Sequence, residues 1–270
     1  MSSRSISIRF TARSHSRQSF GGSSTMASDA EFTALFNQSF DEIGNAVKKA
    51  VDAFNRVVDQ SNHYRWMLGA AAFWVKNQLD KAHHALDEIL KIVKHAADHQ
   101  IPVLSLIRTS FHWVGQVKSP VSAMSMPASD PANENLANWT GPAANAYRDK
   151  AAKQRAAIDD VAVKAEFISG WLYKIAATNV DFAVQLAKVI TKLAGKFVQA
   201  AADAASVFGI IEAVNALASM AGTIFEETLN IVVTVGQRFV QALGNVRDIA
   251  TQVGDHSKLS SQGWPQAVRN

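Results

Sequence analysis

Nine side chains between residues 147 and 175 constrain the fold more than any other feature of the chain. Tyr147, Ala151, Gln154, Ile158, Val161, Ala165, Ile168, Leu172 and Ile175 recur at alternating spacings of four and three residues. That repeat keeps them on one stripe of an α-helix for four heptads, and an apolar stripe of that length has to be covered by another helix. A strand, with its period of two, cannot carry the pattern. Arg148, Asp149, Lys150, Lys153, Arg155, Asp159 and Asp160 fall off the stripe, on what is then the wet side.

The same period extends over most of the chain. Phe32, Phe36, Phe40, Ile43, Val47, Val51, Phe54 and Val58 predict a helix over about 28–60, with Ser28 as its N-cap and Asp29 and Glu31 in its first turn. Further helices are predicted over 64–99, over 103–117, and from 142 nearly to 253. Only 14 Gly and 6 Pro interrupt 270 residues, of which 48% are hydrophobic, and breakers that sparse favour helix. We therefore expect an all-α, elongated bundle of long helices. Breaks are expected at Ser61-Asn62, before Pro102, at Ser119-Pro120, and near Thr178-Asn179, Gly209, and Gly222 or Gly236.

The domain reading follows from those breaks. Residues 1–26 form a basic, Ser- and Arg-rich tail, disordered or the product of an upstream start with translation beginning at Met26; an organellar transit peptide has similar composition. They contain no apolar run of signal-peptide length. Residues 27–118 form an N-terminal helical region, 119–133 a linker holding Pro120, Pro127 and Pro131, 134–256 the seam helix and its successors, and 257–270 a polar tail. The formal net charge is +4, and the tail holds Arg4, Arg9, Arg13 and Arg17 with no acid, so the remainder is balanced. A balanced body gives no basic face for nucleic acid. The absence of cysteine excludes disulfides and thiol nucleophiles.

Two Trp-x-Gly triplets occur, Trp113-Val114-Gly115 and Trp139-Thr140-Gly141. Composition alone yields about 0.3 such triplets, so the three letters carry little by themselves. Their contexts differ. Pro120 closely follows the first. The second is followed by Pro142, favoured at a first helical position, and then by Ala143, Ala144, Ala146 and Tyr147 at the head of the seam. This pattern predicts a hairpin turn, with Gly141 giving the tight bend and Trp139 packing over it.

The stretch Trp139-x-Gly141-x-Ala143-Ala144-x-Ala146-Tyr147, continued by Gln154 and Ile158, resembles the WXG100 (ESAT-6-like) family of bacterial type VII secretion substrates. The likeness covers about residues 136–165, within a chain longer than that family's members and similar to long actinobacterial relatives. It implies a helical hairpin with the triplet in its turn, and a dimer with itself or with a second such protein. It also implies contact with type VII secretion machinery. The location implied is secreted or cell envelope by a signal-peptide-independent route, with a cytoplasmic stage before export. Trp139 and Gly141 would be half of a two-part export signal, and Tyr147, Ile158, Val161, Ile168, Leu172 and Ile175 the seam that a partner helix covers. The family's other half, Tyr-x-x-x-Asp/Glu, is not matched: Leu68, Ala151 and Ala177 stand four residues after the three tyrosines. Either a partner supplies it or the chain is not exported.

Residues 207–225 are the most apolar window, broken mainly by Glu212 and Asn215. They suit a buried central helix. The alternative is a membrane-active, pore-forming protein with at least transient bilayer contact, although a mid-segment carboxylate is costly there. Ala218 and Gly222 have the spacing that permits close helix packing. Six of eight histidines lie between His63 and His112. A His-rich metal bundle would need three or four converging ligands, and neither the zinc-protease nor the di-iron spacing is present. No phosphate loop or nucleophile elbow occurs. The sequence thus points to a non-enzymatic protein with no cofactor, working through helix–helix association.

Overall fold

A computed structural model describes residues 24–98, 100–129, 136, 138–258 and 264. Among the described residues there is no strand, and the protein is all-α with a few long helices. In chain order they are α1 (Ser24–His63), α2 (Arg65–Leu68), α3 (Ala71–Asp98), α4 (Gln100–His112), a π-helical turn (Trp113–Lys118), α5 (Ser119–Ala123), α6 (Ser125–Ser129), α7 (Pro142–Asp203) and α8 (Val207–Gly254). The chain forms two compact units, the first built from Ala30–Pro102 and Thr178–Gln237, the second mainly from Val103–Ala177 and the described part of Arg238–Asn270.

The first unit packs α1, α3, the second half of α7 and the first half of α8 around one core. Ile43, Phe54 and Val57 of α1 meet Leu86 and Ile89 of α3, Leu186, Ile190 and Phe197 of α7, and Ile210, Val214 and Leu217 of α8 in a single apolar cluster. Each large side chain so buried contributes about 1.5–3 kcal/mol. Of the stripe expected in α1, Phe36, Ile43, Val47, Val51 and Phe54 are buried and Phe32, Phe40 and Val58 half-buried, and Ala46, Ala50 and Ala53 widen it with residues small enough for close helix approach. The Phe54 ring lies 6.1 Å from that of Phe197 and 5.9 Å from that of His83.

Two short connections meet at one end of this unit. Between α1 and α3 the chain turns through Tyr64, α2 and Gly69, whose φ of +52° suits glycine. Between α7 and α8 it turns through 204–206, where Ser206 Oγ accepts from the Gly209 N–H (3.0 Å) as an N-cap. The Tyr64 hydroxyl donates to the Ala205 carbonyl (3.2 Å) and ties the two turns together. Gly209 is required, because a Cβ there would collide with the Asp203 carbonyl oxygen.

In the second unit, α4 to α6 run against the first half of α7 in the opposite sense. Ser169 Oγ donates to the Ser110 carbonyl (2.7 Å), and Phe111 meets Tyr173 edge-on (6.3 Å, 87°). Lys118 pairs with Glu166 (2.8 Å), and Ser125 Oγ donates to Asp159 Oδ1 (2.6 Å). As numbers rise on one side they fall on the other.

Several expected boundaries move. The helix expected from residue 64 begins instead at Ala71, after the Gly69 turn. α1 begins at Ser24, so Ser28 lies inside it rather than capping it. Residues 119–129, read as linker, are helical apart from a turn at Met124. Pro120 is tolerated because it stands second in α5, just after the π-helical turn, where no intrahelical N–H is demanded. Pro102 likewise sits in the first turn of α4. The break expected at Thr178-Asn179 is absent, since buried Ala176, Val180 and Ala183 hold α7 straight through and outweigh a propensity difference of tenths of a kcal/mol. α8 also passes unbroken through Gly222 and Gly236, and the break expected near Gly209 falls at 204–206.

Candidate functional site

The sequence before α7 prepares its start residue by residue. Gly141 has φ +103°, a region that L side chains rarely adopt. Its carbonyl accepts from the Asn145 N–H (3.1 Å), which makes Gly141 the N-cap, with Pro142 at the first helical position. The Trp139 N–H reaches the Leu136 carbonyl at 3.4 Å. One turn into the helix, Arg148 Nη2 donates to the Trp139 carbonyl (2.8 Å), and its other terminal nitrogen lies 3.5 Å from Asn145 Oδ1. The Trp139 ring stands 5.9 Å from that of Tyr147, tilted by 49°. These two aromatics are 37% and 39% exposed, so the turn is held by local bonds while its apolar faces stay open to solvent.

The structure brings Trp139, Gly141 and Tyr147 together and distributes the rest of the seam along α7. Ile158, Leu172 and Ile175 are buried within this chain, and Val161 and Ile168 are half-buried. The covered face is wider than the seam expected: Ala162, Ser169 and Ala176 are buried as well. Three buried positions per heptad are what a helix in a globular bundle shows, against two in a coiled coil. Val163 and Phe167 are exposed on the opposite side of α7. Residues 130–135 and 137, which would complete the expected hairpin connection, lie outside the described residues.

The apolar segment 207–225 packs by one face. Ile210, Ala213, Val214, Leu217 and Ile224 are buried, whereas Glu212, Asn215, Ser219, Thr223 and Glu226 form an exposed polar stripe. The stretch Val207–Arg238 of α8 is long and apolar enough to cross a bilayer, with 29% of its most apolar window buried. A Cβ at Gly222 would meet nothing within 4 Å, so the Ala218/Gly222 spacing does not serve a close helix contact.

Among the described residues no group of three or more His, Asp or Glu is placed to hold a metal ion. His83 packs near Phe54, His84 lines a shallow open groove with Asp80, Lys81 and Glu88, and His99 lies outside the described residues. Next to His84, the Lys91 ammonium hydrogen-bonds Glu88 (2.6 Å) and holds its carboxyl below the ordinary range.

Sequence reasoning missed a cluster at the tip of the first unit. Trp66 is 78% exposed, Phe73 72% and Phe208 83%, with Met67 and Trp74 also exposed. The available signal was the run WMLGAAAFWV, residues 66–75, which has no polar side chain. A turn facing water ordinarily carries Asn, Asp, Ser or charge. Within a helical period over 64–99 those residues fit an amphipathic pattern. Compared with known proteins, the chain matches no family model, no curated protein and no solved structure.

Proposed function

We propose that this chain is a non-enzymatic, secretion-associated interaction protein of the type VII substrate kind, which works by helix–helix association and presents the Trp139–Gly141 turn for recognition. One observation carries the reading: the turn is locked by Arg148 and Gly141, yet Trp139 and Tyr147 face solvent. A fold gains little by fixing two aromatic rings at its surface unless another surface covers them. The partner is a second copy or another Trp-x-Gly protein. Because Ile158, Leu172 and Ile175 are already covered within the chain, the partner helix meets the open edge of the seam at Tyr147, Val161 and Ile168. Export of this kind leads from the cytoplasm to the envelope or medium.

The test is export from an actinobacterial host with type VII machinery. Wild type is expected in the culture filtrate, with Trp139→Ala and Arg148→Ala retained in cells at unchanged helicity. Equal export of wild type and variants, or retention of the wild type with a co-expressed partner, would overturn the reading.

A further inference from the structure

We infer that the tip of the first unit is a docking surface for a phospholipid bilayer, through Trp66, Met67, Phe73, Trp74 and Phe208. These residues belong to a different unit from the Trp139 turn, and the inference stands apart from the secretion reading.

Five observations select the bilayer. The tip consists of two turns joined by the Tyr64–Ala205 hydrogen bond, and large apolar side chains project from both. Residues 66–75 carry no polar side chain, although they stand at a solvent-facing connection, where the cost of exposing apolar surface is normally avoided. Their type is also informative. Indole rings favour the headgroup boundary, where an apolar body and an N–H donor are both accommodated, and two of the chain's 6 tryptophans lie here. The run is bracketed by exposed Arg65 and Lys76, whose charge suits anionic headgroups, while Asp203, the last residue of α7, precedes the second turn. Finally, the tip opens directly into Val207–Arg238, the stretch of α8 long and apolar enough to enter a membrane.

A protein partner fits this surface less well. Helix recognition uses a groove or a continuous stripe, whereas Trp66 stands in α2 and Phe73 and Phe208 in the first turns of α3 and α8. Docking needs no departure of α8 from the core: Leu68, Val75 and Ile210 stay buried beneath the tip while the exposed rings enter the headgroup layer.

Full-length protein floated with vesicles of phosphatidylcholine plus phosphatidylglycerol tests the inference. Wild type is expected to bind, and a Trp66→Ser, Phe73→Ser, Phe208→Ser variant to bind at least about tenfold more weakly. All three side chains are exposed, so far-UV helicity and Tm should be unchanged. A Trp66→Phe, Trp74→Phe variant should still float but lose the quenching of tryptophan fluorescence by bromo-lipids. The inference is overturned if wild type fails to float, if the triple variant floats equally well, or if quenching survives in the double variant. It is also overturned if the tip substitutions convert a dimer to a monomer without vesicle binding, which would make the tip a self-association face. The export assay reads Trp139 independently, so either idea can fail alone.

Discussion

At the scale of single residues, two glycines inside helices make opposite predictions. Gly209 stands third in α8, where its N–H meets Ser206 Oγ and a Cβ would strike the Asp203 carbonyl. Gly209→Ala is therefore expected to cost about 1–3 kcal/mol, the range for forcing a group into occupied space. Ser206→Ala, which removes the cap, should cost about 1 kcal/mol. Gly195 is exposed inside α7, about two turns before its end, with nothing within 4 Å of its would-be Cβ, so Gly195→Ala should gain about 0.5–1 kcal/mol. Urea midpoints followed by circular dichroism separate the three, and an unchanged midpoint for Gly209→Ala would show that the 204–206 turn yields to a methyl group at no cost. Asp255 supplies a residue-scale pH prediction. Its Oδ1 accepts from the Ser257 N–H (2.9 Å), and the Ser257 backbone and side-chain hydrogen bonds hold its carboxyl below the ordinary 3.8. A depressed carboxyl contributes in full above its unfolded value and loses that contribution as pH falls through the folded one. Carboxyl carbon shifts should place the Asp255 midpoint below 3.8, and Asp255→Asn should remove the acid-range change at the Ser257 amide.

At the scale of elements, the tie that closes the second unit is an ion pair with an additional acceptor. Lys164 Nζ lies 2.8 Å from Asp160 Oδ2, both side chains 13% exposed, and donates to the Asp255 carbonyl (2.7 Å) beyond the end of α8. Asp160 Oδ2 has no well-aligned hydrogen bond, so the ammonium is what offsets its charge. Lys164→Met should cost about 1–3 kcal/mol, below the range for a fully buried pair because some solvent reaches it. The double variant with Asp160→Asn should recover part of that loss. Amide exchange over residues 250–254 should accelerate in Lys164→Met alone, and unchanged exchange would dismiss the tie. These elements also show what the sequence could convey. The Asp160/Lys164 spacing is visible on one helix face, but a carbonyl 91 residues away is not. The α7 stripe was legible by period, yet its breadth was not, because Ala162, Ser169 and Ala176 are too small or polar to register as apolar positions. The helix start at Pro142 was legible because Gly-Pro punctuation acts locally. The tip was not, since an aromatic run reads as core until its surroundings show that nothing covers it.

At the scale of the whole molecule, the two units differ in how their cores are made, and stability should follow. Among the described residues, the largest fully buried side chains are Phe36, Ile43, Leu86, Ile89, Leu186, Ile190, Leu193, Phe197, Ile210, Leu217 and Ile224 in the first unit, against Ile107 alone in the second. Among the described residues, the second unit's buried apolar side chains are six alanines (Ala144, Ala151, Ala157, Ala162, Ala165 and Ala176) with Val103, Ile107, Ile158, Leu172 and Ile175. Alanine allows helices to approach closely but removes little apolar area from water, and burial free energy scales with that area. Backbone ordering costs are similar per residue in both units, so the second has less to set against them. Native-state hydrogen exchange should therefore show the deepest protection on α3, on α7 around 186–197 and on α8 around 210–217. Residues 144–165 of α7 should open at lower free energy although the helix is continuous. The first residues to exchange would then include the Trp139–Tyr147 turn, where the proposed partner binds, and a partner that covers it should slow exchange there and leave 186–197 unchanged. Equal protection along the whole of α7 would show instead that the helix opens as one element and that the alanine-lined unit draws its stability from the other.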